Sequence, residues 1–575
     1  MSVTRSNPQN IKSPDGNSLA VFIDGATNKP MLKDVNGQME ELKKYTGDTP
    51  FEDGSATGAI QPVLGGNSAS SQYSTIGGGI TNKIEGDYSF IGSGENNRTT
   101  SLGSAIVAGK NNTLGVSSGG GGGCCDCCGV GGNEEIGGIG AELLFNAKYS
   151  VIGGGVNNQA LGYSSFIGSG VCNETEGCRS VVVGGNNNKA QGTNSFIGGG
   201  QNNCASNIRS TISGGGFNRA TSNSSTIGGG YGNLVSGCSS TIGGGRINTV
   251  SGDYSTIGGG RSNTASACYS TIGGGNCNTA SGSCSTVGGG RFNTASGQNS
   301  IIGGGCCNTA SSSFSTVGGG CCNISSNSRS TVGGGRLNLA SGYISTVGGG
   351  AYNTASGFYS TVGGGCCNVS SGSRATIGGG GINTASGCYS TIGGGSRNTA
   401  SGCCFSTVGG GRCNTASGQN SIIGGGCCNT ASSSFSTIGG GNCNTASGCR
   451  SAILGGRNNT SSGYISTVGG GAYNTASSDS STVSGGRNNT ASAYYSTIGG
   501  GIGNSASGCR SAILGGRFNT TNSCADAMIV GSCITADRAC TTFVNALSVK
   551  NMPTSSAGLP SGMIWSDGGT LKIVP

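Results

Sequence analysis

The chain has 575 residues, 122 of them glycine, with 9% charged and 5% aromatic side chains, a net charge of +8 and no histidine. This composition cannot fill the cores of several ordinary globular domains. The small charge, without a basic block, does not suggest nucleic-acid binding, and the lack of histidine removes the commonest catalytic base and metal ligand.

Residues 1–72 are non-repetitive and carry much of the charge. Their polar start has no secretory apolar core, so export by a signal peptide is not expected. Leu19-Ala-Val-Phe-Ile-Asp24 predicts a strand closed by an Asp-Gly turn, and Met39-Glu-Glu-Leu-Lys-Lys44 predicts a short helix. The region is expected to attach the chain to a particle or to cap the first repeat.

Residues 73–520 repeat a fifteen-residue unit, x-Ser-Thr-[Ile/Val]-Gly-Gly-Gly-x-x-Asn-Thr-Ala-Ser-Gly-x. The Ile/Val anchor recurs at Ile76, Ile91, Ile106, then from Ile152 to Ile392; after one inserted residue at Cys403-Cys404 it resumes from Val408 to Ile513. A disordered Gly/Ser-rich linker has no reason to phase its apolar residues, so the period predicts a stack of coils. Near 115–148 the phase is interrupted by Gly119–Gly123 and Cys124-Cys-Asp-Cys-Cys128. Degenerate coils or a loop thrown out from the stack fit there, the loop being preferred, with cross-linking preferred to metal binding because the spacing is not that of a zinc site. In residues 521–575, Met528 and Phe543 keep approximate phase before an irregular end, expected to cap the last coil.

Within the unit, Ser-Thr-Ile and Asn-Thr-Ala-Ser read as two short strands. Ile/Val and Ala point inward, and Gly-Gly-Gly makes a turn. The predicted fold is all-β: a parallel β-roll or β-solenoid of about 28 fifteen-residue coils about 4.8 Å apart. Such a rod would be on the order of 130 Å long. Its thin interior buries little apolar area and three chains side by side would bury more, so an oligomer is expected. The Asn six after the anchor is present in every unit, including Asn82, Asn97, Asn248, Asn263, Asn278 and Asn293. It predicts an internal amide ladder and also tolerates left-handed backbone.

The 29 cysteines favour positions four, five and eleven after the anchor. Cys306 with Cys321, Cys307 with Cys322, Cys388 with Cys403, and Cys413 with Cys428 and Cys443 form columns at the fifteen-residue count. Neighbouring coils lie within the roughly 4.4–6.8 Å Cα range of a disulfide, so inter-coil or inter-chain bridges are expected. A second variable column, three before the anchor, is rich in Tyr and Arg, including Tyr254 and Tyr269; Arg246 and Arg261 belong to a column four after it. These are candidate recognition positions, although a solvent-facing role that keeps rods apart is the plainer reading. No nucleophile–base pair, carboxylate pair or phosphate cradle stands out, so neither catalysis nor a cofactor is expected.

The Ser-x-[Ile/Val]-Gly-x-Gly-x-x-Asn-x-Ala-x-Gly pattern resembles the head repeats of trimeric autotransporter adhesins. The resemblance implies a left-handed parallel β-roll with three chains about a three-fold axis. This chain's units are one residue longer than most in that family. It shows no heptad stalk, β-barrel anchor or signal peptide, so a self-exporting adhesin is not expected. The segment Leu559-Pro-Ser-Gly-Met-Ile-Trp565-Ser-Asp-Gly-Gly-Thr-Leu-Lys-Ile-Val574 resembles the end of phage and large-virus fibre proteins. Together these imply a virion fibre or spike at the particle surface or outside the cell. The N-terminal region would engage capsid or other virion proteins, and the rod would meet a host glycan or protein. A cellular adhesin or matrix filament is the alternative. Ice binding by a Thr column is a lesser one, since Thr226, Thr241, Thr256, Thr271 and Thr286 precede the anchor but Phe90, Phe166, Phe196 and Ile301 break the series. Neither nucleic acid nor a membrane span is expected.

Overall fold

The computed structural model describes residues 58–62, 65–115, 147–548 and 550–575, and the strands at 9–12, 18–23, 30–33, 39–41 and 51–53. It is a parallel β-solenoid of about 30 turns of about fifteen residues, with no helix among the described residues. The turns fall in two compact units, Met1–Cys307 and Asn308–Pro575.

The first unit opens with an antiparallel sheet of Gln9–Lys12, Ser18–Ile23, Pro30–Lys33 and Met39–Glu41. The strand expected at 19–24 is there. Of the helix expected at 39–44, residues 42–44 lie outside the described residues, and Met39–Glu41 instead pairs with Pro30–Lys33 as an antiparallel strand. Glu-Glu-Leu-Lys-Lys has helical propensity, but the ladder beside it overrides that weak local preference.

Each coil then contributes two two-residue strands, such as Thr256–Ile257 and Thr264–Ala265. Each pairs in parallel, residue for residue, with its equivalent in the next coil, as Ile257 with Ile272 and Ala265 with Ala280. A third ladder, absent from the expected two-strand roll, is a single bridge four after the anchor, as Arg246 with Arg261. Side chains alternate across a strand, so Ile257 and Ala265 are fully buried while Thr256 and Thr264 face outward. Burying one such Ile contributes about 2–3 kcal/mol.

Two parts of the chain test the register. Ala105–Ile106 pairs directly with Val151–Ile152, and Thr113–Leu114 with Gln159–Ala160. Consecutive coils therefore close over the interruption, as the loop reading requires; Cys124–Cys128 lie outside the described residues. At the other end of the repeats, Ile513 pairs with Ile529, so the buried residue is Ile529, while Met528 sits half-exposed beside Ala512. The ladders also run past both ends of the 73–520 tract. Ser68–Ala69 pairs with Lys83–Ile84, and Thr542–Val544 with Met528–Val530. The second unit ends in an antiparallel hairpin of Ile564–Asp567 and Thr570–Ile573.

Candidate functional site

The Asn column is the polar spine of the coil. Asn263 is fully buried. Its Oδ1 accepts the Asn278 N–H at 2.9 Å. Its Nδ2 donates to the carbonyl of Gly259 in its own coil and of Gly275 in the next, both at 3.0 Å. Asn82, Asn248, Asn278 and Asn293 donate to the same two glycine carbonyls, and Asn97 to the equivalent pair, Ser93 and Gly109. The expected ladder is present, but it is mainly amide to backbone. Direct amide–amide bonds are longer and occur only in places, as Asn263 Nδ2 to Asn248 Oδ1 at 3.1 Å. These buried Asn are not left-handed either. The left-handed residue is the one before them, as at Ser262 (φ 55°) and Cys277 (φ 55°).

A second left-handed residue lies three before the anchor, in the Tyr/Arg column: Tyr254 (φ 56°) and Tyr269 (φ 59°). The conformation costs a non-glycine residue roughly 1–2 kcal/mol. It points the N–H back to the preceding coil, where Tyr254 donates to the Cys238 carbonyl at 2.9 Å. Strand amides donate the other way, as Thr256 to the Ser270 carbonyl at 2.9 Å. The two edge turns are thus tied to coils on both sides. Sequence reasoning placed the bend in the glycine triplet and missed these two positions. A usable signal existed: Asn recurs just before the ladder Asn, at Asn96, Asn111, Asn157, Asn187 and Asn202.

The candidate recognition residues do not converge. Tyr254 and Tyr269 are on one turn, and Arg246 and Arg261 on the other, with a strand between them along either path. The two tyrosine rings stack on each other, centroids 5.1 Å apart and 8° from parallel, and both are exposed. Their faces are turned along the stack, so they offer a partner ring edges and hydroxyls instead of open faces for a sugar. In the second unit the same turn interleaves arginine with aromatics. The Arg374 guanidinium lies between the rings of Tyr359 (5.7 Å) and Tyr389 (5.1 Å) and donates to the Tyr389 hydroxyl. Replacing Arg374 by alanine is expected to cost about 1 kcal/mol of local stability, read as faster amide exchange at Tyr359 and Tyr389.

Charge is distributed unevenly. From Tyr254 to Ser478 the chain has no Asp, Glu or Lys, and its only charges are nine arginines. Acidic residues in the ladders lie earlier. Glu174 is paired with Lys189 at 3.2 Å, and Glu176, two residues on, accepts from Gln191 Nε2 at 3.2 Å. Burial, then the neighbouring Glu174, raises the Glu176 carboxyl to about 7. A carboxyl raised in the folded state binds more protons folded than unfolded. Stability should therefore fall as pH rises from about 4.5 to 7 and stay low above it. Glu176→Gln is expected to flatten that dependence and to stabilise the surrounding coils at pH 8 by at most about 2 kcal/mol, after allowance for solvent screening. Amide exchange at pH 5 and pH 8 checks it.

Within the second unit the cysteine columns are present in altered form. Cys413, Cys428 and Cys443 occupy one turn position in successive coils, each left-handed, and are thiols. Cys388 aligns with Cys404, not with the expected Cys403. The inserted residue is absorbed in the turn, and the ladder resets the register one residue later. Cys388 and Cys403 are thiols as well. Cys306 and Cys307 end the first unit, and Cys321 and Cys322 belong to the second. The disulfide-bonded cysteines among the described residues are Cys172 and Cys204, neither in the expected set. Compared with known proteins, the chain matches no family model and no curated sequence.

Proposed function

We propose that the chain is a structural fibre or spike protein of a virus particle. Three copies pack side by side, the N-terminal region engages virion proteins, and the repeat surface meets an anionic host glycan. The observation that carries this reading is where the coil spends its polar groups. The Asn amides, a few of the buried Ser hydroxyls, as Ser255 Oγ to the Ala267 carbonyl at 2.7 Å, and the edge-turn N–H groups bind neighbouring coils. That suits a mechanical element. The arginine-only tract adds a cationic surface without internal counter-charges, suited to sulfate or uronate groups. The resemblance to adhesin head repeats and to viral fibre ends supports the trimer and the particle.

Antibody labelling of purified particles, with chemical cross-linking of the detached protein, tests it. Label on particle projections and a cross-linked trimer are expected. Label confined to a cell surface or matrix would favour a cellular adhesin or filament. Glycan contact should appear as retention on a sulfated column that is lost as salt is raised.

Ice binding is a second reading that one observation favours. The longest Thr column is on the Ala strand, one coil longer than the run from Thr316 to Thr407 before the anchor. Thr384, Thr399, Thr415, Thr430, Thr445, Thr460, Thr475 and Thr490 stand in register. Each is followed two residues later by an exposed Ser, from Ser386 to Ser492. Absence of thermal hysteresis in the purified protein would remove it.

A further inference from the structure

Adjacent cysteines recur at one place in the coil, four and five after the anchor: Cys306-Cys307, Cys321-Cys322, Cys366-Cys367 and Cys427-Cys428. In a strand, neighbouring side chains would point to opposite faces. Here the second cysteine is left-handed (φ 58°, 57°, 59° and 56°), and the alternation is broken. The two sulfurs of each pair come together at 3.1, 3.3, 3.0 and 3.2 Å. All four pairs reach the solvent, with each member exposed or half-buried.

We propose that these vicinal dithiols are chelating sites for thiophilic ions of the trivalent arsenical class. Three observations select that chemistry. A disulfide within the pair is disfavoured, because adjacent Cα atoms lie about 3.8 Å apart, below the roughly 4.4–6.8 Å that a disulfide usually spans. Tetrahedral zinc would spread two thiolates to about 3.8 Å and requires further ligands. Among the described residues no group of three or more metal-ligating side chains converges. A pyramidal ion that takes two sulfurs at a narrow angle needs neither the wider bite nor the extra ligands. The reaction is a condensation without redox change: an organoarsenic(III) oxide forms two As–S bonds, loses its oxygen as one water, and that water carries away both thiol protons. The hydrogen bond that the Cys428 thiol makes with Cys427, then desolvation and neighbouring thiols, push Cys428 up to about 11, which slows competing oxidation there.

Full-length reduced protein treated with phenylarsine oxide tests the proposal by intact mass. Adducts are expected that survive excess 2-mercaptoethanol and are stripped by 2,3-dimercaptopropanol. Cys366→Ser and Cys427→Ser should each remove one such adduct, whereas Cys178→Ser, at an exposed cysteine outside these pairs, should leave the number unchanged. Unchanged β circular dichroism will show that each variant is folded, and peptide mapping of the arsenical on unaltered protein reads the same sites without any substitution. Adducts that yield to the monothiol, or that map away from the pairs, would overturn it.

Discussion

Alanine at Gly260 is expected to open its coil, while alanine at Gly259, one residue away, is expected to be silent. Both belong to the same glycine triplet, but their surroundings differ. Gly260 has φ +92°, and a Cβ there would lie 2.1 Å from the Gly275 carbonyl oxygen, 2.7 Å from Asn263 Nδ2 and 2.8 Å from the Gly275 amide nitrogen. That carbonyl cannot retreat without cost, because it accepts from the Arg261 N–H at 2.8 Å and from Asn263 Nδ2. The strained backbone and the displaced bonds together should cost about 3–5 kcal/mol locally. At Gly259 nothing lies within 4 Å and φ is not left-handed, so the effect should stay within about 0.5 kcal/mol. The chain already contains the control: Ser93, Ala108 and Ser169 occupy the Gly259 position in other units, while the Gly260 position is glycine from Gly79 to Gly516. Because repeat stability is a sum of local terms, hydrogen exchange of residues 256–278 is the measurement. Equal exchange in the two variants would show that the triplet acts as one flexible turn.

Most of the coil was legible from its period. The Ile/Val anchor and the Asn found in every unit follow from buried positions with little room to vary, whereas the inward Ala column also takes Ile84, Leu114 and Val235. What the period concealed has a common physical origin. Counting by fifteen places Cys403 opposite Cys388 and Met528 in the core, but hydrogen bonding defines the register, and an extra residue is taken up in a turn. Thus Cys404 faces Cys388, and Ile529 is the buried residue. The edge turns were hard to see because their side chains point to solvent. Tyr, Arg, Phe and Cys all occur there, and nothing in those identities announces a left-handed backbone. The stacking that aligns Tyr254 with Tyr269 was foreseeable from the column, yet the ring orientation that closes their faces to a ligand was not. At Met39–Glu41 the local preference was simply outweighed by pairing with a neighbouring strand.

Asn263→Ala is expected to be at least as damaging as Gly260→Ala, for a different reason. Removing the amide leaves the Asn278 N–H without its acceptor and takes a donor from the Gly259 and Gly275 carbonyls. Each buried group left unsatisfied costs about 1–3 kcal/mol, so a local loss of about 3–5 kcal/mol follows. Asn263→Asp separates the two halves of the amide. It keeps the acceptor for Asn278, loses the donor, and places a carboxylate where exposure is zero. Burial favours the neutral acid. The folded carboxyl should then titrate above its unfolded value, and the variant should be less unstable in acid, with the defect growing as pH rises through the raised value. Neutral-pH exchange of residues 256–282 should rank wild type slowest and both variants fast, and acid should rescue only the aspartate. Were acid to leave the aspartate variant as labile as the alanine one, the Oδ1 bond to the next coil would not be what holds the stack together.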